Sequence, residues 1–211
     1  MADSLPPPRI DLLVHSPSYH TYLPVLNQLL EPSPPLSTLL APQLHLAVAA
    51  LPAADKPKDY HQLLDLAQKT VEGWDVQDQA DFLAAHPRIG ETKNLSKASE
   101  GEQAPQAGAN ATPGVVLKRL QNLNSLYEQA FPGLRFITFV NGRSRAEIIP
   151  ELESLLSFTL QPPSPSFAEP KLGDLRTNLR VYPTGSAPWR AELKRGLGDM
   201  WAIAHSRVDK W

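Results

Sequence analysis

Three groups of residues in this chain have types and spacing that could do chemistry. The first is His86-Pro87-Arg88-Ile89-Gly90, where an imidazole stands at the meeting of a helical pattern and a proline that disfavours helical geometry in the residue before it. A helix C-terminus favours the imidazolium, which suits such a histidine to proton transfer near neutral pH. The same setting also describes a capping histidine beside a turn, and for a histidine taken alone that is the commoner case. The second group is Ser99-Glu100-Gly101-Glu102-Gln103. Its hydroxyl, two carboxylates, amide and unhindered glycine backbone suit a small ligand with alternating donors and acceptors, although a solvated polar loop has the same composition. The third is Arg207, beside an apolar stripe, whose guanidinium either snorkels to solvent or reaches a buried anionic or carbonyl-rich ligand.

Other chemistries are poorly provided for. The absence of cysteine removes disulfides, thiolate nucleophiles and cysteine-ligated zinc, and fits a reducing compartment. The histidines at 15, 20, 45, 61, 86 and 205 have no second histidine at i+3 or i+4, so no metal site is expected. Glycine-rich phosphate loops, His-Glu-x-x-His pairs and Gly-x-Ser-x-Gly elbows are missing. A formal charge of −2 offers no basic field for nucleic acid, and no apolar run approaches the ~18–20 residues of a membrane span. The N-terminus lacks the basic and apolar regions of a secretory signal, and the chain ends in Asp-Lys-Trp rather than a Ser-Lys-Leu peroxisomal address. These features lead to the expectation of a soluble intracellular protein.

The elements that must position these residues are punctuated by 22 prolines, eleven of them within 1–57 and six within 162–188. Helical spacing runs over 19–30, with Pro24 tolerable near its first turn. Short apolar pieces at 36–41 and 43–51 are fenced by proline. A stronger helix spans 59–72 and stops at Gly73, and Asp75 caps the next, which leads to His86. Residues 87–112 form a polar connection too long for a plain loop. Thr112-Pro113 then opens a helix that ends at Phe131-Pro132-Gly133. The aromatic and β-branched run 134–140 reads as extended, Asn141-Gly142 as a turn, and Ser144 to Glu147 as a capping box for a helix through Ile148, Leu152, Leu155 and Leu156. Residues 161–170 are a Pro/Ser loop, and 171–185 are ambiguous between strand and coil. A last helix starts near Pro188, with packing expected to offset the cost of Gly196 and Gly198. The fold class is all-α, an irregular bundle of six to eight helices with one short extended segment. Residues 1–18 read as a flexible proline-rich N-terminus and 19–211 as the helical domain, with a proline-rich insertion at about 161–187.

Read together, Ala85 to Gly90, Ser99-x-x-Glu102-Gln103, Tyr127-Glu128-x-x-Phe131 and the run Phe136 to Ser144 closely resemble the OHCU decarboxylase family. OHCU is 2-oxo-4-hydroxy-4-carboxy-5-ureidoimidazoline, the intermediate between urate and (S)-allantoin. The likeness extends more weakly to Leu30 to Pro34 and to Met200-Trp201-x-Ile203-Ala204-x-x-Arg207. It implies an all-helical carboxy-lyase that needs no cofactor and no metal, with His86 and Glu102 as the catalytic pair. It also implies substrate contacts from Pro87, Ser99, Gln103, Arg207 and the backbone of Phe136, Ile137, Thr138, Phe139 and Val140, and Glu100 and Gly101 of the same polar string are expected to join them. Members of the family are often homodimers, in the cytoplasm or the peroxisome. The readings set against this one are a decarboxylase or lyase of a related ureido or hydantoin acid, and a helical protein that binds purine catabolites without turnover.

Overall fold

The computed structural model describes residues 7–91, 99, 112–166 and 169–211, and among these it is all-helical, with no strand. The described residues hold nine α-helices: α1 Ile10–Val14, α2 Leu23–Leu29, α3 Ala41–Ala50, α4 Tyr60–Glu72, α5 Val76–Leu83, α6 Gly114–Ala130, α7 Arg145–Leu155, α8 Leu172–Thr177 and α9 Ala187–Val208. The periodicity does not show α1 and α8, helices of five and six residues that are too short for an apolar stripe to repeat. None of the helices described is long and apolar enough to cross a membrane.

Two compact units make up the chain. The first comprises residues up to Ala85 together with Gly198–Trp211, and the second His86–Leu197. In the first, Ser18 caps a single 3₁₀ turn, Tyr19–Thr21, and α2 follows with Pro24 in its first turn. Pro42 does not fence two pieces apart as its type suggests. A π-helical turn over Leu36–Leu40 runs straight into α3, with Ala41 N–H bonded to Leu36 O, and Pro42 falls in the first turn of α3 where a missing N–H is tolerated. Asp59 caps α4 by accepting from Gln62 N–H, and Gly73 closes it. Leu63, Leu64, Ala67 and Val71 of α4 are fully buried, as are Leu26, Leu29, Leu40, Leu44 and Met200. Each of these leucine, valine and methionine side chains contributes roughly 1.5–3 kcal/mol by leaving water.

In the second unit α6 packs on α7. Val116, Leu120, Leu123, Tyr127 and Ala130 form the buried face of α6, at the three-and-four spacing of a core helix. Pro113 occupies the N-cap position, and the Thr112 hydroxyl accepts from Arg145 instead of capping. Helix α7 begins with the expected capping box of Ser144 and Glu147. Its buried apolar residues are Ile148, Ile149 and Leu152, and Leu155 is only half-buried. One charge interrupts the core face of α6. Arg119, 3% exposed, meets Glu153 of α7 at 2.6 Å, Glu169 at 2.5 Å and the Gln161 carbonyl at 3.2 Å. In α9 the buried Gly196 fits the expected close packing, but Gly198 does not, because a Cβ there would meet nothing within 4 Å.

Candidate active site

His86 lies three residues beyond α5, past its C-terminus, and is 3% exposed. The five residues after it are tied down from three directions. Arg135 Nη1 donates to the His86 carbonyl at 2.6 Å. Arg88 spreads its fork over Glu128 of α6, with Nε at 2.6 Å and Nη2 at 3.0 Å, and also reaches Glu91. The bond to Glu128, helped by Glu91 and opposed by burial, holds Arg88 firmly protonated. Asn124 Nδ2 donates to Ile89 O at 3.0 Å, and Arg145 Nη2 to Glu91 O at 3.4 Å. Gly90 has φ +86°, and a Cβ on it would stand 3.0 Å from Leu120 Cδ1, so only glycine lets the loop close against α6. Pro87 is half-buried at the start of this loop.

The run 134–140 is irregular and unpaired with any strand, as its sequence suggests, and it ends in the Asn141-Gly142 turn with both residues at positive φ. Phe136, Ile137 and Thr138 are buried, and Phe139 and Val140 half-buried. Its backbone is not open on both sides. Arg195 donates to Ile137 O at 3.0 Å with its guanidinium 5.1 Å from the centre of the Phe136 ring. Arg143 donates to Phe139 O at 2.7 Å and to Val140 O at 3.0 Å. The Thr138 hydroxyl donates to Glu151, which also receives Arg143. Arg195 is itself held by Glu192, which accepts from the buried Tyr127 hydroxyl at 2.7 Å. Burial, and then the Glu192 charge, push that phenol well up. By contrast, no acceptor is found among the described residues for the N–H groups of Phe136 to Val140. The segment therefore keeps its five N–H donors for a ligand, while three of its five carbonyls are already taken.

Ser99 is buried, and Glu100, Gly101, Glu102 and Gln103 lie outside the described residues. Arg207 belongs to the first unit. It does not snorkel: its side chain is 5% exposed, with Nη2 3.0 Å from Glu31 Oε1 and Nη1 3.2 Å from Leu29 O. Its anionic partner thus comes from the chain itself. On the same helix His205 meets His61 of α4, Nδ1 to Nδ1 at 2.8 Å, with Asp209 and Asp65 near the outer nitrogens. The ring planes are 4° from parallel, yet 2.8 Å is closer than stacked faces can come, so the imidazoles meet edge to edge in a hydrogen bond between their Nδ1 atoms. Sequence spacing could not reveal this pair.

Arg135, Arg195, Glu192 and Glu151 support these groups without having been singled out in the sequence, and Glu128 and Glu31 entered there only as members of the matched strings. The available signal was a charge where the pattern is apolar: Arg135 interrupts Leu134 to Val140, and Glu31 follows Leu29-Leu30. A cavity of about 420 Å³, lined by Arg119, Thr159, Gln161, Ser164 and Glu169 among others, shares none of the expected site residues.

Two comparisons relate this chain to known proteins. A family model described as OHCU decarboxylase matches residues 16–159, which takes in His86, Arg135 and the segment 136–140 but stops short of Arg207. The 2-oxo-4-hydroxy-4-carboxy-5-ureidoimidazoline decarboxylase of Halalkalicoccus jeotgali is 34% identical over 84 residues, a match covering 40% of this chain and 47% of that relative. The match thus spans about half the length of that relative. Because the family model takes in more than half of this sequence, the chain belongs to the OHCU decarboxylase family.

Proposed function

We propose that the domain spanning 19–211 is a cofactor-independent carboxy-lyase that takes OHCU to (S)-allantoin. The observation that supports this best is the pairing, within one unit, of a buried histidine anchored through its own carbonyl with a neighbouring segment that presents a row of backbone donors. The substrate's carboxylated ring carbon lies beside an unsaturated, ureido-bearing carbon. When the C–C bond to the carboxylate breaks, its electron pair moves into that unsaturation, so the substrate is its own electron sink. What remains for the protein is to orient the carboxylate, exclude water and deliver a proton to one face of the ureido-bearing carbon.

His86 is the general acid/base in this scheme, and Glu102 orients it or handles the substrate hydroxyl. The N–H groups of Phe136 to Val140 suit the ureido and ring carbonyl oxygens, because Arg195 and Arg143 already occupy the carbonyls of Ile137, Phe139 and Val140. Pro87, Ser99, Glu100, Gly101 and Gln103 complete the substrate contacts. Arg207 grips a ring or ureido oxygen, with Glu31 balancing its charge. A grip on the departing carboxylate would stabilise the ground state as well, and so would not speed its loss.

The test is circular dichroism of the allantoin formed from freshly generated OHCU. The protein should yield the (S) enantiomer faster than the spontaneous racemic decay, and racemic product at the uncatalysed rate would defeat the proposal. His86→Asn should leave the helical signal and unfolding temperature near wild type while turnover collapses. Near-normal turnover in that variant would remove His86 from its role.

A further inference from the structure

Arg135 is an expensive residue for its place. It is half-buried in an otherwise apolar run, and burial, together with the positive charge of nearby Arg88, works against its own charge. A leucine or methionine would suit the position if packing were its whole purpose. Its hydrogen-bond acceptor is the carbonyl of His86, 2.6 Å away, and no other is found for it among the described residues. That carbonyl belongs to the peptide joining His86 to Pro87, and proline has no N–H with which to anchor the peptide from its other side. Fixing the carbonyl fixes the plane of that peptide, and because a residue before proline is restricted in ψ, this narrows the directions in which the His86 Cβ can leave the backbone. Arg135 is also the residue immediately before Phe136, where the row of backbone donors begins. One side chain thus joins the main chain of the histidine to the segment that the substrate would lie against.

We propose that Arg135 is a positioning residue for the decarboxylation, a strut that sets the distance between the His86 imidazole and the backbone donors of Phe136 to Val140. This rests on the reading that His86 moves the proton and that the segment holds the substrate. Arg135 spends its bond on a backbone carbonyl and acts through His86. Displacing a catalytic group by about 1 Å is enough to cost on the order of 100-fold in rate.

The experiment uses the full chain with Arg135→Gln and Arg135→Lys. Steady-state rates on OHCU are measured beside the ¹H–¹⁵N imidazole signals of His86, which are assigned by their loss in His86→Asn. Arg135→Gln should lower kcat by roughly 10- to 100-fold with KM within about threefold, and should shift the His86 signals. Arg135→Lys keeps one donor and the charge, and should recover part of kcat. Unmoved His86 signals, or a raised KM at unchanged kcat, would overturn the strut. If Arg135→Gln does not fold, Arg135→Lys must still show a smaller fall in kcat at steady KM together with shifted His86 signals, and wild-type kcat with unmoved His86 signals would overturn the strut equally. Should the wild-type protein leave OHCU untouched, the functional reading falls, while the His86 signals in the variants still decide whether Arg135 orients that histidine.

Discussion

Replacing Arg119 by leucine isolates the cost of a buried charge in this fold. The guanidinium is 4% exposed and stands between two carboxylates, Glu153 at 10% and Glu169 at 18%. The cluster therefore has one more negative charge than positive. Burial opposes the charge on Arg119, yet Glu169 and Glu153 together hold it protonated. The excess falls on Glu153, whose carboxyl burial pushes above its ordinary 4.5 in spite of the arginine. Arg119→Leu leaves both carboxylates facing each other without a cation. Removing one side of a buried pair costs about 3–5 kcal/mol. Glu169 lines the cavity of about 420 Å³, where water can reach it, so the expected loss at pH 7 lies near the lower end, about 3 kcal/mol. Glu153→Gln removes the excess charge and keeps an acceptor, and should stay within about 1 kcal/mol of wild type. The pH dependence has a definite sign. A carboxyl whose folded pKa is raised binds its proton more tightly in the folded state, so its contribution is present below 4.5 and is lost as pH rises through the folded value. In Arg119→Leu the missing cation raises that value further, and the deficit measured at pH 7 should shrink as pH falls towards 5. Urea unfolding followed by tryptophan fluorescence at both pH values reads this directly. A deficit under about 1 kcal/mol at pH 7, or one that does not shrink on acidification, would refute the reasoning.

Two buried tyrosines should respond in opposite ways to the loss of their hydroxyls. Tyr22 is fully buried, its hydroxyl has no partner among the described residues, and burial pushes its phenol up to about 12, so Tyr22→Phe should be neutral or stabilising by up to ~1 kcal/mol. Tyr127 donates to the carboxylate of Glu192, so Tyr127→Phe should cost about 1.5–3 kcal/mol in the same urea experiment, and equal responses would contradict both assignments. Two glycines make a second contrast, read by thermal unfolding. Gly90→Ala meets both a positive φ and Leu120, and should cost about 1–2 kcal/mol or more with a matching fall in turnover, whereas an unchanged Tm would disprove that loop geometry. Gly198→Ala has open space in mid-helix and should gain up to ~1 kcal/mol, and a loss there would mean that the site is crowded after all.

The parts of this protein that could be read from its sequence are those decided by near neighbours. Asp59 and Gly73 bound α4, Ser144 and Glu147 open α7, and Asn141-Gly142 turns the chain, because caps and turns are satisfied within a few residues. Pro42 misleads for the same reason: its type announces a break, but whether it breaks anything depends on the π-helical turn before it. The site divides along the same line. The string from His86 to Gly90 identifies itself by type and order, while the groups that hold it come from far away in the chain: Arg135 is 49 residues on, and Glu128 is 40 from Arg88. Arg207 and Glu31 stand 176 apart, and Arg119 and Glu153 34 apart. No periodicity of 3.6 residues encodes such pairings, which only packing selects. A weaker inference was still available. Arg119 follows Val116 by three residues and precedes Leu120 by one, on a face that is otherwise apolar, and Arg135 sits between Leu134 and Phe136. A charge cannot stay buried without a partner. Each of these arginines therefore announces in the sequence that a distant acceptor exists. Naming that acceptor takes the fold, and for Arg135 the acceptor is the main chain of the histidine on which the proposed chemistry depends.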